Sequence, residues 1–156
     1  MNYQTLQQSA AVISIAPSAD DRADVQRVLG SRFVPVHDAC CLWEAFLKPV
    51  AAGVIVYDAE SPDSWRDALE HSRSRWPQAH FLLISRLADD QLWVDALQAG
   101  VYEVLPKPFH PLELYAAVSS ALEDRQNCLS RASILGALDV PIGDQSATSD
   151  PPPQAA

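Results

Sequence analysis

Basic residues are scarce in this chain of 156 residues: 11 lysines and arginines stand against 20 aspartates and glutamates, a formal net charge of −9. That balance removes the general attraction to phosphate backbones and anionic membranes that a basic surface provides. Neither nucleic acid nor a membrane is therefore expected as a partner. Cysteine is sparse too. Cys40 and Cys41 are adjacent, Cys128 is distant, and no C-x-x-C pair occurs, which argues against a zinc site or a disulfide framework. Three small buried hydrophobes in a reducing cytoplasm are the expectation. The histidines at 37, 71, 80 and 110 show no metal-ligand spacing. The opening residues, MNYQTLQQSA, lack the basic flank of a secretory leader. No apolar run approaches the roughly 20 residues that cross a bilayer, so a cytoplasmic location is expected. Internal repeats, a glycine-rich phosphate loop, a Ser-His-Asp set and paired catalytic carboxylates are all missing.

What the chain does contain is an alternation of short apolar runs and longer amphipathic stretches. AVISIA (11–16) reads as a buried strand. SADDRADVQRVLG follows as a helix with Ser18 or Asp20 as cap, Val25, Val28 and Leu29 inward, and Gly30 as its end. FVPVHD is a second strand, and Pro35 puts it at a sheet edge because proline cannot donate to a ladder. ACCLWEAFL is a short helix stopped at Pro49. AAGVIVYD is the strongest strand, with the consecutive apolar residues of a strand covered on both faces. A third helix is expected from about Pro62 to Arg75, then the strand HFLLIS, the helix LADDQLWVDALQAG closed by Gly100, and the strand VYEVL. A last helix starts at Pro111 with His110 as cap. Its pattern fades after about Asp124, where Leu129, Ile134, Leu135 and Leu138 either extend it or form a short apolar segment.

Five strand–helix units of this kind predict an α/β domain over 11–124: a five-stranded parallel sheet with helices on both faces, of the flavodoxin-like doubly wound type. Residues 125–156 read as a largely disordered extension, since the end, PIGDQSATSDPPPQAA, has too little apolar surface to offset the entropy of ordering. In a parallel sheet the functional crevice lies at the carboxyl ends of the strands. Those ends hold Ala16-Pro17, Asp58, Ser85 and Lys107. A carboxylate at the tip of a central strand is costly without a partner or a task. Lys107 can pair with Asp58 or with a group carried on it, and Ser85 can hydrogen-bond that group. Covalent chemistry on a carboxylate nucleophile and a plain ion pair at a sheet end both fit.

On VIVYD, LLIS and ALQAGVYEVLPKPF, set within the five units, the chain resembles the CheY-like receiver domain of two-component response regulators, over about Val12 to Leu122. The resemblance implies that Asp58 is the phosphoacceptor, that Ser85 and Lys107 contact the phosphoryl group, and that the Lys107-Pro108 peptide is cis. It implies a sensor kinase or a downstream signalling protein as partner, with a homodimer also open, and no enzyme activity. Three features depart from the family pattern, the first being a short segment after Asp58, AESPDSWRD, that carries Trp65 and Arg66 where a glycine-containing turn is expected. Ala16 and Pro17 stand where the family has the acidic pair that holds Mg²⁺, leaving Asp58 alone and a weak metal site. Val104 stands at the family's switch aromatic. Asp20 and Asp21 fall further along, where helix capping and dipole compensation account for them. Arg66 is read as a solvated helix arginine.

Three functions remain open on the sequence. One is a phosphorelay receiver with Asp58 as acceptor. The second is a degenerate receiver acting as a phosphorylation-independent protein–protein module. The third is an enzyme with Asp58 as nucleophile. Along the fourth helix, Val94, Ala96 and Leu97 supply a buried face, so Leu92 is expected to point outward beside Trp93 as a candidate partner surface.

Overall fold

Each apolar run forms a strand, and the way these strands bury their two faces sets the architecture. The computed structural model describes residues 11–30 and 35–138. Strands β1 (Ala11–Ile15), β2 (Val36–Ala39), β3 (Ala52–Asp58), β4 (His80–Ser85) and β5 (Glu103–Pro106) form one sheet in the order β2-β1-β3-β4-β5. Every pairing is parallel. β2 is an edge strand, and Pro35 just before it gives its carbonyl to Val12 N at 2.9 Å, so the missing proline N–H costs the ladder nothing.

Period-two alternation distributes the strand residues between two cores. Ile13, Ile15, Ile55, Tyr57, Phe81, Leu83 and Val104 face one side. There they meet Leu42 and Ala45 of α2 (Leu42–Leu47), Ala68 and Leu69 of α3 (Trp65–Arg75), and Ala96 of α4 (Asp90–Ala99). Val12, Val54, Val56, Leu82, Ile84 and Leu105 face the other side, against Val25 and Leu29 of α1 (Ala19–Gly30) and Leu114, Ala117, Val118 and Ala121 of α5 (Pro111–Leu138). Each fully buried Leu or Ile contributes roughly 1.5–3 kcal/mol over its exposed state. The continuous runs VIV and LLI follow directly from this two-sided burial.

Local signals set most helix ends. Ser18 Oγ accepts from Asp21 N at 3.4 Å at the start of α1, and His110 Nδ1 accepts from Leu112 N at 3.2 Å at the start of α5. Gly100 ends α4 with φ 97°, and Val101 N reaches back to Ala96 O at 2.9 Å, the left-handed close that glycine alone adopts without strain.

Several expectations shift. α3 begins at Trp65, not near Pro62: Ser64 Oγ accepts from Arg66 N at 3.3 Å, and the stretch between forms a turn closed by Ser61 N on Asp58 O at 3.0 Å. α5 runs past Asp124 to Leu138 without a break, so residues 125–138, expected within a largely disordered extension, are helical. The expected disorder of 139–156 and the start of the second apolar run, 33–34, lie outside the described residues. α4 keeps Ala96 inward and Trp93 outward as expected, but Leu92 exchanges places with Val94 and Leu97. Leu92, Ala96 and Ala99, spaced four and then three residues apart, face the core, whereas Trp93, Val94 and Leu97 are exposed. Among the described residues no helix is long and apolar enough to cross a membrane.

Candidate functional site

The chain leaves β1 for β2 on one side and returns through β3 on the other, so a crevice opens above β1 and β3. Asp58 closes β3 inside this crevice and has no exposed surface. An isolated carboxylate there would be expensive, and the structure supplies two compensating hydrogen bonds, one from a lysine that is itself buried. Lys107 Nζ donates to Asp58 Oδ2 at 2.7 Å, Glu60 N donates to Asp58 Oδ1 at 2.9 Å, and Lys107 is itself nearly buried, at 9% exposure.

Lys107 is shared further. Its Nζ also donates to Asp21 Oδ2 at 3.1 Å and to Glu60 Oε2 at 3.3 Å. The ammonium thus spends all three protons on three carboxylates. Burial alone would push its pKa down, but the hydrogen bonds to Asp58 and Asp21, with Glu60 behind them, outweigh it and raise the pKa above the ordinary lysine value. The reach of Lys107 is set by its backbone: its N–H donates to Ser85 O at 2.9 Å, and the Lys107-Pro108 peptide is cis. Arg86 Nε lies 3.6 Å from Glu60 Oε1, and a cleft of about 330 Å³ lined by Asp21, Asp24, Arg86, Lys107, Pro108 and Phe109 opens beside the cluster.

The structure therefore brings Asp58 and Lys107 together as the strand order required. Ser85 is buried nearby, but its Oγ accepts from Leu87 N at 3.0 Å and serves its own turn. Ala16 is buried and Pro17 exposed, and each contributes only a carbonyl, both taken by Arg22 Nη1 at 2.6 and 3.0 Å. Arg22 in turn lies 3.5 Å from Asp38. A cation belonging to the chain holds the end of β1. Val104 is buried in the core, and the Tyr102 hydroxyl donates to Asp124 Oδ2. Arg66 lies over the Trp65 ring at 4.5 Å and pairs with Asp95 at 3.5 Å, away from Asp58.

Sequence reasoning missed the part of Asp21 and Glu60 in holding Lys107, and missed Arg22 altogether. Asp21 was assigned to capping, yet it precedes Val25 by four residues and Leu29 by eight, which puts it on the inward face of α1. That spacing was the available signal. Glu60 follows from the turn after β3, which no local pattern announced. Leu92 is the other correction: it packs half-buried against the core, and the exposed apolar face is Trp93, Val94 and Leu97, with Leu87 exposed on the preceding turn.

Mg²⁺ is the cation such a crevice holds in the resembled family. The donors here do not fit it. Both Asp58 oxygens are engaged, Asp21 and Glu60 converge on an ammonium, and the β1 end offers no carboxylate. Among the described residues no group of three histidine, cysteine, aspartate or glutamate side chains is placed to hold a metal.

No family model and no curated protein matches the chain. Solved structures do. The signal receiver domain of an HD domain-containing protein from Pseudomonas fluorescens superposes with a TM-score of 0.69 at 20% identity, covering 77% of this chain and 99% of that one. The chemotaxis response regulator CheY4 of Vibrio cholerae gives 0.66 at 22%, covering 74% and 100%. A response regulator from Thermotoga maritima gives 0.67 at 20%, covering 74% and 98%. The fold is that of a receiver domain. At these identities the receiver likeness extends to the fold alone, and the chemistry rests on this chain's own residues.

Proposed function

We propose that this receiver-fold chain is a signalling module whose output is a protein contact and whose state does not depend on Mg²⁺-assisted phosphorylation. One observation carries the reading: Lys107 is held by Asp58, Asp21 and Glu60 at once, with the second oxygen of Asp58 tied to Glu60 N. Phosphoryl transfer to Asp58 would add negative charge beside Asp21 and Glu60, the two other carboxylates that share its ammonium. A divalent ion normally screens that charge, and the residues here do not form its site. The exposed apolar group of Trp93, Val94 and Leu97 on α4, with Leu87, supports a protein partner.

The phosphorelay reading keeps one specific support, the 2.7 Å contact between Lys107 and a carboxylate at the tip of β3. An enzyme with Asp58 as nucleophile is disfavoured, because that carboxylate has no exposed surface and meets a substrate only after Lys107 withdraws. Intact-protein mass after incubation with a small phosphodonor, with and without Mg²⁺, separates the readings, with Asp58→Ala as control. The expected result is no adduct in either condition. One phosphoryl group that appears with Mg²⁺ and disappears in Asp58→Ala overturns the proposal in favour of a working phosphoacceptor.

A further inference from the structure

At the opposite end of the sheet, below the starts of β3 and β4, lies a groove of about 420 Å³. Pro49, Val50, Trp76 and Pro77 give it an apolar floor, and Arg75 and Arg125 flank it. Trp76 is fixed by its indole N–H, which donates to Val50 O at 3.0 Å, so the floor is preformed. Arg75 is exposed and Arg125 half-buried. Arg75 lies over the Trp76 ring at 5.5 Å, and neither arginine has a carboxylate partner among the described residues. The Nε of Arg125 is shut off from solvent with no hydrogen-bond acceptor there. Buried polar groups of this kind call for an acceptor. An apolar floor with two guanidiniums fits an extended, apolar, anionic peptide.

The chain carries an anionic, proline-containing segment of that charge. Residues 139–156 contain Asp139, Asp144 and Asp150 and no lysine or arginine, and Asp150 is followed directly by Pro151, Pro152 and Pro153. We propose that this segment docks in the groove, with the Asp150 carboxylate on Arg125 and Arg75 and the three prolines on the apolar floor. Charge and reach both allow it. From Arg125 to Leu138 the helix α5 extends about 20 Å at 1.5 Å per residue. The 12 residues from Leu138 to Asp150 span up to about 40 Å when extended, twice what the return needs. A proline run is already extended before it binds, so little chain entropy is lost on docking. The segment 1–10 also joins the domain near the groove, through Ala11, but it holds no carboxylate side chain to meet the arginines.

The test is a ¹⁵N–¹H spectrum of the full chain. Asp150→Lys should move the amide signals of Val50 and Ala51 and the Trp76 indole signal, and should lower the docking equilibrium constant by about tenfold, the worth of one charge-assisted hydrogen bond. Arg125→Glu should do the same, and the double exchange Arg125→Glu with Asp150→Lys should restore the original positions. Groove signals that ignore Asp150→Lys overturn the proposal. So does their dependence on removal of residues 1–10, which makes that segment the occupant. A dependence on protein concentration assigns the groove to a second copy and overturns it equally.

Discussion

At the carboxyl ends of the strands Lys107, Arg22 and Arg86 are each engaged by carboxylates or carbonyls, whereas at the amino ends Arg75 and Arg125 have no carboxylate among the described residues. The two ends belong to one sheet and differ in how charge is closed. At the upper end the cations are engaged: three acids share one ammonium, and an arginine holds the two carbonyls at the end of β1. The lower end is built but incomplete. The cations at the carboxyl ends are the more fully engaged, and at the amino ends the Arg125 Nε is buried without an acceptor among the described residues.

The largest effect should come from opening the upper end. Lys107→Met leaves Asp58 fully buried without its cation, and urea unfolding at neutral pH should show a loss of about 3 kcal/mol. Asp58→Asn should cost less, because Lys107 keeps Asp21 and Glu60. Equal losses for the two variants would break the picture of a shared ammonium. Next comes Gly100→Ala, at the lower end. A Cβ there would sit 2.1 Å from Arg73 Nη2 on a backbone at φ 97°, and a thermal melt should register about 1–2 kcal/mol of destabilisation.

Alkaline titration should give a smaller and graded change. Tyr57 is pushed up to about 12 from 10.0, chiefly by burial, and Lys107 is raised above its ordinary 10.5. Both bind their protons more tightly in the folded chain. Their contribution is therefore complete below about pH 10 and declines as the pH rises beyond it. Tyr57→Phe and Lys107→Met should each flatten that decline in denaturation followed against pH, and an unchanged slope in both would refute the assignment. The smallest expected effect is none at all: millimolar Mg²⁺ should leave the melting temperature where it was. A saturable rise with Mg²⁺ would show a metal site that the donor set does not provide.

Most of the sheet was legible in the sequence, because strands buried on both faces must be written as unbroken apolar runs, as in VIVY and FLLIS. Asp58 and Lys107 were legible as a pair for the same reason: parallel strands bring their carboxyl ends together. What escaped depended on helix phase and turns. LWVDAL is apolar at five of its six positions, so no amphipathic stripe fixes which side faces inward, and the packing of Leu92 and Ala96 against the core decides it. Asp21 followed the inward stripe of α1, but its charge made capping the more natural assignment. The extra turns of α5 carry Ile134 and Leu135 on exposed surface, which gives the sequence no amphipathic signature to read.

That final helix has a mechanical consequence. Its 28 residues make a rod of about 42 Å, clamped against the sheet through Leu114, Ala117, Val118 and Ala121 and bare from Ser130 to Ala137. A rod packed at one end and exposed at the other, among the described residues, is a lever. A tilt of a few degrees at the clamp becomes a displacement of ångströms at Leu138, so repacking within the domain is felt, magnified, by whatever the tip holds.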